Sequence, residues 1–547
     1  MMSHCRGWAG LTMTAFGALM FAAHGAVGVE AIAPELSAAK ASDWRFVTGD
    51  WEIRDGMLSQ RSPDRLACAL LTAPAVRQPV VRVEFKVDPP TDKRVGAAAI
   101  CLGATGTLTY LWAHFDTRHD QVILVWSTPE NSWQEIGRKP CPLDDNTWIA
   151  AEVRCAPGKV AVNVGGKQVI ECNLEREVAG CVGLGTSQGV VSFRQLSIEG
   201  EVIVNAAPLK NEEPPYRVIS RGPAAGEYQA FPDACRLQNG DIMAVFYAGY
   251  SHISLACPEW PKGGRICTVR SSDEGKTWSE PAVLYDDEID NRDPHIVQLR
   301  DGTLVCTFFS ITGDGKKWDG SATGGKIKEF SPAQIIFSRD GGKTWDPKAR
   351  DICPPGWVCS AAVRELPDGT LILGVYMGGS KAHGGVLRSA DGGKTWSEPI
   401  PIDKDSGVKL DAETDVILLK NGDLLAALRG DGKVNMHFAT SSDKGLTWGK
   451  VQDSGFKGHC PHFTRLSTGE IVLCHRLPAT SVHVSADDGA TWSGPHQIDS
   501  VGGAYPATVE LKDGSVLIVY YEEGAGSAIR IQRLSVKGTE VKALEWK

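Results

Sequence analysis

Apolar and polar positions alternate with period two over most of this chain, in short runs broken by Gly, Asp and Asn. A period of two turns every second side chain toward one face, as in a β-strand. The runs VVRVEFKVD (80–88), AAAICLG (97–103), YLWAHFD (110–116), QVILVW (121–126), WIAAEVRC (148–155) and KVAVNVGG (159–166) predict the strands of a first region, 40–203. No stretch carries the longer period of an extended helix. An all-β protein is expected, opening with a β-sandwich of jelly-roll type. A linker over 204–215, within AAPLKNEEPPY (206–216), then leads to a second region, 216–547.

The second region repeats itself. An apolar run, a tight turn and another apolar run recur as ACRLQNGDIMAVF, IVQLRDGTLVCTF, AVRELPDGTLILGV, VILLKNGDLLAAL, FTRLSTGEIVLCH and TVELKDGSVLIVY. Asn-Gly and Asp-Gly supply the positive φ that tight hairpins need. Interleaved with the hairpins, S-x-D-x-G-x-T-W occurs at 271–278, 338–345, 389–396, 441–448 and 485–492. In that box the Asp accepts backbone N–H bonds across a turn, Gly permits a left-handed backbone and Trp plugs between strands. Six hairpins, each extended by outer strands, predict a six-bladed β-propeller. The sixth hairpin is followed by no box, so its strand IRIQRLSV (529–536) is expected to be completed by the opening strand near YRVIS (216–220).

Composition narrows the partners. The chain has 547 residues and a net charge of −9, which is against a nucleic-acid or anionic-membrane surface. Arg6, the apolar run from Leu11 to Ala23 and the small residues of Ala23-His24-Gly25 predict an export signal over 1–25, hence a secreted or periplasmic protein with no membrane span. The 15 cysteines show no framework spacing, and Cys306 and Cys474 fall inside strand-like runs as buried thiols.

The boxes on six blades resemble those of sialidases (neuraminidases), over roughly Tyr216 to the C-terminus. More weakly, DWEIRDGMLSQ (50–60) and CVGLGTSQGVVSFRQLSIEG (181–200) resemble laminin-G-like and concanavalin-like domains, some of them in keto-disaccharide hydrolases. The boxes are structural and silent about turnover, so the inner strands must carry the chemistry.

Two segments do so by resemblance. AETDVILLKNGDLLAALRG (412–430) is similar to the sialidase phrase in which a Glu opens an inner strand and an Arg ends the next, which implies roles for Glu413 and Arg429. AYPATVELKDGSVLIVYYE (504–522) is similar to the segment that opens with the nucleophilic Tyr and ends in an Arg-supporting Glu, which implies Tyr505 and Glu522. A sialic acid bears its carboxylate on the anomeric carbon, so an anionic nucleophile would be repelled there. A phenol activated by Glu avoids that, and arginines clamp the carboxylate.

Departures are equally clear. In YQAFPDACRL (228–237), Ala230 stands where sialidases place their first clamp Arg; Arg217, Arg221 and Arg292 are open alternatives. Arg476 is the nearest match to the third clamp. The stretch 250–267, where the family has its acidic Asp, contains none, leaving Glu259 and His252 as donors there. Asp233, Arg292, Asp293 and His295, from FPD (231–233) and NRDPHI (291–296), with His459 and His462 from GHCPHF (458–463), are expected to converge on the pocket. Asp293 is the substitute acid, given a raised pKa. Asp293 and the three histidines have no diagnostic metal spacing, and neither metal nor cofactor is expected. The expected function is exo-acting removal of sialic acid or a related acidic sugar from a glycan. A uronate polysaccharide lyase and a non-catalytic glycan-binding propeller use the same residue inventory.

Overall fold

The computed structural model describes residues 29–546, apart from 63–65, 89–95, 130, 132, 379–382, 404–405, 478, 501–502 and 524–526. The expected export signal, 1–25, lies outside the described residues.

From Val29 to Val202 the strands form two layers that share Ala179–Ser187. One runs Gln134–Pro140, Gln121–Ser127, Tyr110–Asp116, Ala97–Ala104, Ala179–Ser187, Ala67–Leu71, Trp44–Thr48. The other is built on Val191–Val202, Val76–Val87, Ile149–Ala156, Lys159–Val164 and Lys167–Asn173. The core lies between them, where Phe85 of the second layer meets Phe115 of the first at 5.0 Å. In Val76–Val87 burial alternates, as its sequence does. Ala97–Ala104 and Tyr110–Asp116 are buried on both faces. Their second face, with Trp112 and Tyr110, is covered partly by Ile203 and by Leu209 of the linker. That double burial is why these two runs are apolar nearly throughout.

The second region is a ring of six antiparallel sheets. Their inner strands are, in order, Tyr228–Arg236, Asp290–Gln298, Trp357–Cys359 with Arg364–Glu365, Thr414–Leu418, His459–Arg465 and Gly503–Glu510. Each pairs with the next strand through the hairpin read from sequence. Blade six closes the ring: Tyr216–Arg221 pairs with Ala528–Lys537, joining the start of the propeller to its end. A further hairpin strand, Glu540–Leu544, extends this blade.

The boxes are as regular as their sequence. In the first, Asp273 accepts bonds from Ser271 Oγ at 2.8 Å, the Thr277 amide at 2.9 Å and Thr277 Oγ1 at 2.6 Å, and the Trp278 indole donates to Gly275 O at 3.1 Å. The Ser and Thr bonds recur at Asp340, Asp391, Asp443 and Asp487. Cys306 and Cys474 are buried in their strands.

At the axis the inner strands depart from regular pairing in a shared way. Register slips at Ala230/Asp233, Arg292/His295, His459/His462 and Ala504/Ala507. At each slip a residue before proline has positive φ: Phe231 (52°), Asp293 (52°), Cys460 (48°) and Tyr505 (39°). These are β-bulges, which bend a strand and re-aim one side chain. A non-glycine residue held there costs about 1–3 kcal/mol, which the surrounding packing must over-determine. The bulges converge on one narrow cavity lined by Pro232, His295, Cys460, His462, Tyr505 and Pro506.

Candidate active site

Tyr505 and Glu413, on blades six and four, meet across the axis. The Tyr505 hydroxyl donates to Glu413 Oε1 at 2.6 Å. Arg429, at the end of blade four's second strand, donates from Nη1 to the same oxygen at 2.6 Å and to the Tyr505 hydroxyl at 3.4 Å. The other carboxylate oxygen accepts the Cys460 amide at 3.0 Å, so the blade-five bulge supports Glu413 directly. Asp411 holds the far side of Arg429 at 2.9 Å.

The electrostatics follow from burial and charge. Burial works to raise Glu413, but the Arg429 guanidinium and the Tyr505 hydrogen bond prevail and hold its carboxyl below the ordinary value. Burial and the Glu413 charge push the Tyr505 phenol well up. The resting pair is therefore a carboxylate beside a protonated phenol, an arrangement with the chemistry to act as a base and a nucleophile.

Arg476 stacks its guanidinium 5.1 Å from the Tyr505 ring centre and donates to Gly503 O at 3.2 Å. Burial, with Arg429 and Arg476 adding to it, lowers His459 to about 4. Its imidazole is thus neutral at ordinary pH, and neither ring nitrogen has a hydrogen-bond partner among the described residues. Arg429, Arg476 and His459 make a polar, cationic wall beside Tyr505.

Asp293 occupies in blade two the bulge position that Tyr505 occupies in blade six. It is buried, and its Oδ1 has no hydrogen-bond partner among the described residues. Burial raises its pKa against the pull of Arg292, and the nearby Glu413 charge raises it further. A buried carboxyl pushed up in this way can stay protonated and serve as an acid.

Other expected residues go elsewhere. Asp233 accepts the amides of Ala234 at 2.7 Å and Ile296 at 2.9 Å, and lies 3.3 Å from His295 and 3.4 Å from His462. It staples blades one, two and five; Asp415 accepts Val416 and Phe463 amides in the same way at 2.7 Å each. Asp233 is thus spent on the scaffold, while His295 and His462 do line the cavity. Arg292 is packed against Phe231, Tyr247 and Phe309, with Nη1 donating to His252 O at 3.1 Å; it props the blade-one loop and does not join the cationic wall. Glu522 points the other way from Tyr521 along its strand and binds Arg530 and, at 3.1 Å, Arg221, so it supports a blade-six ion network away from the Tyr505 cluster. Arg217 lies over Trp546, a partner in the same outer layer. Glu259 is exposed in the 250–263 loop and makes no hydrogen bond or ion pair with these groups among the described residues. Among the described residues, no three His, Cys, Asp or Glu side chains gather as a metal site.

Some site residues escaped the sequence reading. Phe231, at the blade-one bulge, packs edge-on against Tyr505 at 5.0 Å, next to the position vacated by the missing Arg at Ala230. Tyr228 donates to Glu523 at 2.9 Å and lies 2.9 Å from His252, whose ring packs against Phe231 at 5.3 Å. The recurring X-Pro at 231–232, 293–294, 460–461 and 505–506 is the signal that marks these places.

Residues 263–518 match the family model of the BNR repeat-like domain. The matched stretch begins before the blade-one strand Arg265–Ser271 and ends in the blade-six strand Val516–Glu522, so it lies within the propeller. A sialidase of Paraclostridium sordellii is 26% identical over 250 residues, 41% of this chain and 56% of that protein. One from Micromonospora viridifaciens is 25% identical over 328 residues, 53% of this chain and 48% of that protein. The chain spans about half the length or less of the curated relatives it matches. In solved structures, the NanB sialidase of Streptococcus pneumoniae is similar at 14% identity and a TM-score of 0.47, over 85% of this chain and 95% of that one.

Proposed function

We propose that the protein is an exported, sialidase-like glycoside hydrolase that releases sialic acid or a related acidic sugar from glycans. The observation that carries this reading is the hydrogen bond of 2.6 Å from the Tyr505 hydroxyl to Glu413, with Arg429 on both. The sialidase relatives support the reaction class.

In the mechanism, Arg429 and Arg476 receive the substrate carboxylate, and His459 offers a neutral polar contact. Glu413 takes the phenol proton as Tyr505 oxygen bonds to the anomeric carbon. The bond from that carbon to the aglycone oxygen breaks, and Asp293 gives that oxygen its proton. Water, deprotonated by the Asp293 carboxylate, then displaces Tyr505, and Glu413 returns the proton to the phenol.

Tyr505→Phe is expected to abolish hydrolysis of an aryl sialoside at an unchanged melting temperature. Undiminished turnover in that variant would overturn the nucleophile assignment. An ultraviolet-absorbing unsaturated sugar released from a uronate polysaccharide would instead make the protein a lyase.

A further inference from the structure

The first region has a cleft of its own, far from the residues assigned above in sequence. On the strand Tyr110–Asp116, the side chains of Tyr110, Trp112, His114 and Asp116 share one face, by the period of two. One end of that face is covered: Ile203 and Leu209 pack near Tyr110 and Trp112, and Glu212 accepts bonds from the Leu108 amide and the Thr109 hydroxyl at 2.9 Å each. The other end is open. There His114, Asp116, Gln121, Ile123, Trp133 and Arg138 line a cavity of about 370 Å³. That is within the size range of pockets that hold small ligands.

Its floor and walls are ordered by contacts within the protein. His114 stacks on Trp112, at 5.0 Å and 24°, and Trp133 lies tilted against its other side, at 4.7 Å and 51°. Asp116 is fixed by Gln121 Nε2 and His119 Nδ1, each at 2.8 Å, and by the amides of Arg118 and His119. Arg138 is held by Glu135 and by Gln121 Oε1 at 3.0 Å. One group is left over: His114 is 2% exposed, and its Nε2 has no hydrogen-bond partner among the described residues. A buried polar atom without a partner costs about 1–3 kcal/mol. Burial lowers His114 to about 4 against the pull of Asp116, so the ring is neutral at ordinary pH.

The chemistry of the occupant follows from this lining. An aromatic surface offers stacking to an apolar face, and the carboxylate, amide and imidazole around it offer hydrogen bonds at its edge. Within the lining the charge of Asp116 faces that of Arg138, so no net charge calls for an ion. A molecule with an apolar face and a ring of hydroxyls matches: one pyranose unit. Ser500, which precedes the strand Gly503–Glu510 bearing Tyr505, lines the same cavity, so the cleft adjoins the propeller's blade-six approach.

We propose that this cleft binds a neutral hexose unit of a glycan, by stacking on Trp133 and hydrogen bonding to His114, Asp116 and Gln121. The test is calorimetric titration of the full chain with galactose, glucose, mannose and N-acetylgalactosamine, and separately with sialic acid. At least one neutral sugar is expected to bind. Trp133→Ala and Gln121→Ala are each expected to weaken that binding by about tenfold or more, at unchanged melting temperature and unchanged turnover of a small aryl sialoside. Tyr505→Phe is expected to bind the neutral sugar as the wild type does, which separates this site from the proposed reaction. Failure of all four neutral sugars to bind, binding indifferent to both cleft variants, or binding of sialic acid alone at Trp133 would overturn the proposal.

Discussion

The rim and the axis of the propeller are built from the same repeat and behave in opposite ways. On the rim, five boxes use the same Ser, Asp, Gly and Thr in the same bonds, turn after turn. At the axis, one structural device, the bulge before proline, presents a different side chain in each of blades one, two, five and six: Phe231, Asp293, Cys460 and Tyr505. Where the chain repeats it makes scaffold, and where an otherwise repeated position varies it lines the axis. The strain of the bulges lies on the varied residues.

That contrast can be broken first at Glu413. Glu413→Gln keeps the shape of the pair but removes the base, so kcat/KM for an aryl sialoside is expected to fall by about 10²–10⁴. A change of less than a few fold would place the base elsewhere. Asp293→Asn is next. Because the Asp293 pKa is raised, the acid form is lost only as pH climbs through that raised value. Because the Glu413 pKa is lowered, the base form is lost as pH falls through that lowered value. The pH profile is therefore expected to be a bell with its alkaline limb set by Asp293. Asp293→Asn is expected to flatten that limb and to slow substrates with alkyl leaving groups more than aryl ones; a profile identical to the wild type refutes the role.

Two further variants test the scaffold side. Asp233→Ala removes the staple of three blades and leaves two buried histidines unpaired, so a stability loss of about 3 kcal/mol is expected in denaturant unfolding. A variant of wild-type stability would show that Asp233 is free for substrate after all. The smallest effect is expected at a rim box: Asp391→Ala should lower the melting temperature by less than Asp233→Ala and leave kcat/KM unchanged. A loss of activity without a loss of stability would contradict the division between rim and axis.

Legibility followed the same division. The six hairpins could be read because a Gly turn between apolar runs is a local matter, and the closing of the ring by Tyr216–Arg221 followed from an unpartnered last strand. Glu413, Arg429 and Tyr505 were singled out by resemblance in residue type and place, and Arg476 as the nearest candidate; the structure brings the four side chains together. Glu522 was read as an Arg-supporting Glu, and the arginines it binds are Arg530 and Arg221, which no local pattern singles out. Arg292 and Asp233 were expected at the pocket, but their partners, Phe231 and the Ile296 amide, come from neighbouring blades. The exposed Glu259 was read from a loop whose course nothing local specifies.

The sequence by itself determined which elements form, how many blades there are and which acid, base and phenol are present, because turn chemistry and strand period act over a few residues. Only the tertiary structure decided which of those side chains meet. Tyr505 and Glu413 are separated along the chain by nearly two blades, and it is the closed ring, with its bulges, that brings a hydroxyl to 2.6 Å from a carboxylate. It also decided their protonation, since burial and the facing Arg429 are properties of the packed axis and not of either strand alone.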